Sequence, residues 1–210
     1  MTPSEQISQK RLLPVAVVNS VDQGLKLADA LSKGGLDVIE ITCRTEAAED
    51  AIEAVAREMP HMLVGAGTVV EGEQCRRILG KGARFIVSPG LDEDVAAAAH
   101  EAGAPFFPGV ATPTEIMRAV RLGIKTLKFF PAENIGGAPA LKALAGPFAH
   151  LGVTFVPTGG IKLETAPAYW ALPQVAAVGG SWFVGKQYLK AGQYDEITEQ
   201  TRAALTAASA

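Results

Sequence analysis

The stretch TPTEIMRAVRLGIKTLKFFPAE, residues 112–133, contains one complete helix and the strand that follows it. Its first four residues combine a capping threonine, a proline at the first helical position and a glutamate at the third, which is a helix start signal. Gly123 supplies the stop. An apolar run begins at Thr126, so the stretch predicts a helix followed by a strand.

Apolar runs of the same kind recur along the chain at intervals of about 20 to 27 residues, with segments of helical periodicity between them. They start near Leu12, Val38, Met62, Phe85, Pro105, Thr126, Val153 and Ala176. Eight such units predict an α/β fold, with a parallel sheet closed into a (β/α)8 TIM barrel. An open doubly wound sheet is the alternative, but residues 18–22, at the first strand–helix junction, carry no glycine-rich dinucleotide fingerprint.

The predicted barrel accounts for residues 1–210 as one compact domain. An N-terminal extension precedes the first strand, and a final helix from Tyr194 onward lies outside the barrel. Such barrels typically have about 250 residues, so a chain of this length leaves room only for short loops. We therefore expect the functional site to be built from strand ends and the short loops that follow them.

The composition is that of a globular protein, with 48% hydrophobic and 20% charged residues. Nineteen Lys and Arg residues stand against 22 Asp and Glu residues, and the two signs are scattered along the chain. Nucleic acid is therefore not expected as a partner. His61, His100 and His150 have no metal-ligand spacing, and we expect no metal site.

Membrane insertion is not expected either. The charge-free stretches 143–161 and 165–185 are broken by glycines and prolines, and the N-terminus has no persuasive signal-peptide cleavage site. Cys43 and Cys75 are far apart and lack the spacing of a zinc site, so a disulfide framework is not encoded. These features predict a soluble protein of the reducing cytoplasm.

Lys128 lies inside the predicted sixth strand, between Leu127 and Phe129. Strand alternation puts Lys128 and Phe130 on one face, and helices outside a barrel require one face to point into the lumen. Burial disfavours the ammonium form, and a neutral lysine can attack a carbonyl carbon to form a Schiff base. The alternative is an edge lysine whose head reaches water, but the sixth of eight barrel strands has no free edge.

The predicted second strand places three polar side chains on one face: Glu40, Thr42 and Arg44. A carboxylate there can transfer protons, and an arginine can hold a substrate carboxylate with two hydrogen bonds. The alternative is a structural ion pair between Glu40 and Arg44 near the barrel rim. Convergence with Lys128 favours a catalytic site, because an amine, a base and a cationic anchor are what an imine-forming enzyme needs.

Glycine pairs follow the predicted seventh and eighth strands, at Gly159-Gly160 and at Gly179-Gly180 before Ser181. Loops at these two positions of such barrels commonly bind phosphate through backbone N–H groups. Tight turns are the alternative, but two pairs at the two expected places favour phosphate. Thr68, after Gly65-Ala66-Gly67, could donate to a carboxylate, although the glycines there could also mark crowding. Glu133 could have a role or act as a loop cap.

At these motifs the sequence resembles the KDPG/KHG aldolase family, named for 2-dehydro-3-deoxy-6-phosphogluconate (KDPG) and 4-hydroxy-2-oxoglutarate (KHG). The resemblance covers nearly the whole chain, and its motifs are specific in combination. They are residues 39–45, 65–69, 88–90, 127–133, 157–161 and 179–182. The resemblance implies a class I aldolase that needs no metal or other cofactor, is usually trimeric, and cleaves KDPG to pyruvate and glyceraldehyde 3-phosphate.

The resemblance also implies a role for each matching residue. Lys128 resembles the Schiff-base lysine, and Glu40 the acid/base group. Arg44 and Thr68 resemble ligands of the pyruvate carboxylate, and Thr158 a residue near the substrate hydroxyls. The remaining matches comprise the phosphate end, Gly159, Gly160, Gly180 and Ser181, and the pocket lining, Pro89 and Phe130.

Two other classes of function share part of this pattern. A phosphate-binding barrel isomerase or epimerase would have the glycine loops, and so would a non-catalytic sugar-phosphate binding protein. Neither needs a reactive amine on the sixth strand, so Lys128 favours the aldolase. Within the aldolase reading, the sequence does not separate strict KDPG cleavage from additional cleavage of 4-hydroxy-2-oxoglutarate.

Overall fold

The computed structural model describes residues 1–209, in which strands and helices alternate along the chain. Within these residues there are nine strands: β1 Leu12–Ala16, β2 Val38–Thr42, β3 Leu63–Gly67, β4 Ile86–Val87, β5 Phe106–Phe107, β6 Gly109–Val110, β7 Thr126–Phe129, β8 Thr154–Pro157 and β9 Val178–Gly180. Each predicted run begins within about two residues of an observed strand.

Helices connect successive strands. The described chain has ten: α1 Pro3–Lys10, α2 Val21–Lys33, α3 Ala48–Glu58, α4 Gly72–Gly80, α5 Glu93–Glu101, α6 Pro113–Arg121, α7 Gly137–Ala145, α8 Ala166–Trp170, α9 Lys186–Ala191 and α10 Tyr194–Ser209. Two short 3₁₀ helices cover Glu133–Ile135 and Gly146–Leu151. None of the helices in residues 1–209 combines the length and apolar character needed to cross a bilayer.

The strands pair in parallel, as the sequence predicted, but they form two sheets. One has the order β5-β4-β3-β2-β1-β9 and the other the order β6-β7-β8. The predicted fifth strand is divided into β5 and β6 at Pro108, which has no N–H to donate to a ladder. Its carbonyl oxygen still accepts a hydrogen bond from the Lys128 N–H at 2.8 Å. The α/β class with a parallel sheet is therefore confirmed.

The main core lies between the sheets and the helices that cover them. All five residues of β2 are buried, because one face of the strand packs on helices and the other lies on the inner, concave side of the sheet. The last helix, α10, packs on α2 at Gly34, where an added Cβ would lie 2.7 Å from Thr201. The Thr198 hydroxyl also donates to the Ala30 carbonyl at 3.0 Å, which holds α10 against α2.

The helix start predicted at Thr112 is confirmed. Its hydroxyl accepts from the Glu115 N–H, and the Glu115 carboxylate accepts from the Thr112 N–H at 2.9 Å, which completes a capping box. The segment before the first strand, expected only as an extension, forms helix α1 with a second capping box between Thr2 and Glu5. That helix could have been recognised from the Thr-Pro-Ser-Glu start, which repeats the signal at Thr112.

Candidate active site

Lys128 stands on β7 with only 6% of its surface exposed. Lys128 and Phe130 line a cavity of about 570 Å³, whereas Leu127 and Phe129 are buried on the other face of the strand. The predicted alternation is thus confirmed. The Lys128 Nζ lies 5.0 Å from the centroid of the Phe130 ring, close enough for a cation–π attraction. An amine is therefore available to a molecule in the cavity.

Glu40, on β2, is fully buried next to this amine. Its Oε1 lies 3.8 Å from the Lys128 Nζ. Burial raises the pKa of the Glu40 carboxyl, and the nearby positive charges of Lys128 and Arg44 oppose that effect. Within residues 1–209, neither carboxylate oxygen of Glu40 has a hydrogen-bond partner. A buried carboxyl group without partners can bind or release a proton beside the amine.

Gly67 makes room for the Glu40 carboxyl. The two residues lie on adjacent strands, where Gly67 pairs with Thr42. A Cβ at position 67 would collide with the Glu40 Oε1. The sequence alone left it open whether the glycines of β3 mark crowding, and it indicated no specific role for Gly67. The sequence signal that could have found this role is a glycine at the end of β3, next to the strand β2 that carries Glu40.

The loops after β2, β3 and β4 contribute Arg44, Thr68 and Pro89 to the same cavity. Thr42 also lines it and accepts a hydrogen bond from the Arg44 Nε at 3.4 Å, while its own hydroxyl donates to the Ala16 carbonyl at 3.0 Å. Thr68 has a left-handed backbone with φ of 58°. A non-glycine residue in this conformation is a source of strain that is often found at functional sites.

The glycine pairs line the same cavity, together with Thr158 and Ser181, and this part of the lining is called the glycine end. Gly159 and Gly160 have φ values of 106° and 76°, which side chains rarely adopt. Thr158 is buried, and its hydroxyl donates to the Val156 carbonyl at 3.2 Å. All the site residues predicted from the sequence therefore border this cavity, except that Glu40 is buried beside it against Lys128.

The structure adds two cations that the sequence analysis did not single out. Lys162 and Lys186 also line the cavity. Both follow a glycine pair closely in the sequence, which is the signal that could have found them. Of the described residues that line the cavity, none is an aspartate or a glutamate, so its charged lining is cationic.

Other polar residues considered from the sequence lie elsewhere. His61, His100 and His150 are exposed. Burial raises the pKa of the Cys43 thiol to about 12, which keeps it protonated near neutral pH. Within residues 1–209, no group of three or more His, Cys, Asp or Glu side chains is placed to hold a metal ion.

Parallel strands that end around one polar cavity define an α/β enzyme with its site at the carboxyl ends of the strands. The comparisons with known proteins then identify the family. The sequence model of the family described as "Aldolase: KDPG and KHG aldolase" matches residues 4–200.

Individual relatives agree with the family match. The chain is 46% identical over 197 residues to the KHG/KDPG aldolase of Escherichia coli K12, which covers 94% of this chain and 92% of that one. It is 44% identical over 210 residues to the 2-dehydro-3-deoxy-phosphogluconate aldolase of Dickeya dadantii, covering 100% and 98%. The crystal structure of KDPG aldolase from Legionella pneumophila, with pyruvate captured at low pH as a covalent carbinolamine intermediate, superposes with a TM-score of 0.92 at 39% identity, covering 97% and 98%.

The chain belongs to the KDPG and KHG aldolase family, and it is a carbon–carbon lyase. The resemblance found from the sequence motifs is thereby confirmed.

Proposed function

We propose that the protein is a class I aldolase that cleaves KDPG to pyruvate and glyceraldehyde 3-phosphate. The observation that carries this proposal is the buried Lys128 amine, 3.8 Å from the buried Glu40 carboxyl and open to a polar cavity. An amine and a proton-transfer group at this separation can act on the same substrate molecule. Cleavage of 4-hydroxy-2-oxoglutarate to pyruvate and glyoxylate is a second reaction within the same chemistry.

The reaction starts when the neutral Lys128 Nζ attacks the C2 ketone of KDPG. The resulting carbinolamine loses water and becomes an iminium ion. Glu40 takes the proton of the C4 hydroxyl, the C3–C4 bond breaks, and its electron pair moves into the iminium to give an enamine. Glyceraldehyde 3-phosphate leaves as the aldehyde. Protonation of the enamine at C3 and hydrolysis of the imine then release pyruvate and restore the lysine.

The proposed binding roles follow the two ends of the cavity. Arg44 and Thr68 hold the carboxylate that becomes part of pyruvate, because a guanidinium binds a carboxylate with good geometry. Thr158 contacts the hydroxyl groups of the substrate. The phosphate lies against backbone N–H groups and a hydroxyl at the glycine end, where Lys162 and Lys186 add positive charge. The residues assigned here are Gly159, Gly160, Gly180 and Ser181 at the phosphate, and Pro89 and Phe130 along the walls.

We also propose that the chain is a single domain whose two sheets join into one closed eight-stranded barrel. A single residue, Pro108, separates β5 from β6, so these two segments act as one interrupted strand. On the other side, a parallel bridge between Thr158 and Gly179 links the end of β8 to β9.

The family resemblance further supports a homotrimer in the cytoplasm, and sedimentation velocity would measure the number of subunits.

The test of the aldolase proposal is trapping of the imine. Incubation with pyruvate and borohydride should add one reduced pyruvyl group per chain at Lys128, as measured by intact mass and peptide mapping. Lys128→Ala should show no adduct, whereas Lys142→Ala, at an exposed lysine on α7, should react like the wild type. Folded wild-type protein that gives no adduct and does not cleave KDPG would overturn the proposal in favour of an isomerase, epimerase or binding protein.

A further inference from the structure

Glu133 begins the short 3₁₀ helix after β7, and its carboxylate is tied to a tyrosine. The Tyr169 hydroxyl donates to the Glu133 Oε1 at 2.7 Å. Tyr169 belongs to α8 and is only 1% exposed. A hydrogen bond to a carboxylate is stronger than one between neutral groups, so this contact holds the Glu133 side chain in one place.

The backbone at Glu133 holds the glycine loop after β8. The Glu133 N–H donates to the Gly159 carbonyl at 3.0 Å, and the Ala132 N–H donates to the Thr158 carbonyl at 2.8 Å. Glu133 also packs closely on Gly160, since a Cβ added to this glycine would lie 2.9 Å from the Glu133 Cβ. Two hydrogen bonds and one close contact thus fix the loop to residues 132 and 133.

The bond to the Gly159 carbonyl sets the direction of the next N–H. In a trans peptide, the C=O of one residue and the N–H of the next point to opposite sides. Because the Gly159 carbonyl points to Glu133, the Gly160 N–H points away from Glu133. Gly160 lines the cavity, so this N–H is available to an anion bound there.

We propose that Glu133, held by Tyr169, is a positioning residue that aims the Gly160 N–H at the phosphate of the substrate. This inference rests on the proposed function, because it assumes that the glycine end of the cavity binds phosphate. Tyr169 lies beyond the loop in sequence and Glu133 before it. Their hydrogen bond therefore ties α8, which follows the loop, to the segment on which the loop rests. A preset donor direction favours binding, because no ordering cost remains when the phosphate arrives.

The test is Tyr169→Phe, which removes the hydroxyl and keeps the ring. We expect the KM for KDPG to rise about tenfold, as for loss of the one hydrogen bond from the Gly160 N–H to the charged phosphate, with kcat changed by less than about twofold. Inhibition by inorganic phosphate should weaken by a similar factor. The rate of borohydride trapping with pyruvate, which has no phosphate, should stay at the wild-type value.

Three variants separate positioning from general stability. Tyr194→Phe, at a half-buried tyrosine on α10, should keep the wild-type KM. Glu133→Gln keeps an oxygen that can accept from Tyr169 and should also stay close to the wild type. Glu133→Ala should behave like Tyr169→Phe. Melting temperatures of all variants would identify any that fail to fold.

Several results would overturn the inference. One is a Tyr169→Phe enzyme with an unchanged KM for KDPG. Another is an equal loss in KDPG cleavage and in pyruvate trapping, which would show a purely structural role. If Glu133→Gln lost as much as Glu133→Ala, the hydrogen bond would not be the cause. A wild type that neither traps pyruvate nor cleaves KDPG would refute the proposed function itself, which is a distinguishable outcome.

Discussion

At the scale of single residues, the Glu40 carboxyl is the most unusual group in the protein. Burial of a carboxyl group without a hydrogen-bond partner costs free energy, and natural folds retain such groups mainly where chemistry needs them. Its surroundings have opposite effects on its pKa, because burial favours the neutral form and the Lys128 ammonium favours the charged form. Burial has the larger effect, so the pKa of Glu40 lies above its usual value of 4.5.

This raised pKa predicts the acid limb of the pH profile. In the proposed mechanism, Glu40 must be ionised to accept the C4 hydroxyl proton, so kcat/KM should fall as the pH drops through its raised pKa. Glu40→Gln should lower kcat by roughly a hundredfold to ten-thousandfold and remove that limb. Steady-state cleavage of KDPG as a function of pH measures both effects.

The control for this prediction is Glu164→Gln, at an exposed glutamate, which should leave the profile unchanged. A Glu40→Gln enzyme with near-normal turnover would remove Glu40 from the mechanism.

At the same scale, strand alternation was enough to predict which side chains share the cavity. Lys128 and Phe130 point into it together, and so do Thr42 and Arg44. Tyr169 was not found in this way, because its contact with Glu133 joins α8 to a short 3₁₀ helix that begins 36 residues earlier in the chain. Such a contact depends on how two separate elements pack, and no local pattern records it.

At the scale of elements, the close approach of β2 and β3 predicts the effect of a single methyl group. Gly67→Ala would place its Cβ against the Glu40 Oε1 and push the carboxyl away from Lys128. Misplacement of a catalytic group by about 1 Å can cost on the order of a hundredfold in rate, so kcat should fall by about that factor. Kinetic assays and a melting curve measure the loss.

A matched control for Gly67→Ala is Gly80→Ala. Gly80 is at the end of α4, and nothing lies within 4 Å of a Cβ added there. This change should leave kcat unchanged and stabilise the fold slightly. If Gly67→Ala kept full activity, the glycine would not be needed for the position of Glu40.

Element boundaries show where sequence patterns fail. The number of apolar runs predicted eight strands, but Pro108 divides one run into β5 and β6 because a proline cannot donate to a neighbouring strand. Apart from Pro108 the run has no break, and the sequence does not show that its two halves pair with different strands. Phe107 pairs with β4, whereas Gly109 pairs with β7.

At the scale of the whole molecule, the cavity carries positive charge although the protein as a whole is negatively charged. The chain has a formal net charge of -3, yet the charged side chains that line the cavity are Arg44, Lys128, Lys162 and Lys186. A concentration of positive charge in a concave site attracts anions. It suits a substrate that carries both a carboxylate and a phosphate.

This field predicts a salt effect. The double variant Lys162→Ala/Lys186→Ala should raise the KM for KDPG on the order of tenfold at low salt, and its KM should depend less on salt than that of the wild type. Initial rates at several ionic strengths test this. Lys125→Ala/Lys142→Ala, which changes the net charge equally away from the cavity, is the control. Equal salt dependence in all three enzymes would contradict the prediction.

The pairing of β1 with β9 has a consequence for how the protein is made. Leu12 lies beside Val178, so the first strand finds its partner near the end of the chain. During synthesis, the free edge of β1 stays unpaired until the ribosome has produced β9. Nascent chains that stop before Val178 should therefore be sensitive to protease and bound by chaperones, and protection should appear only after the last strand has left the exit tunnel.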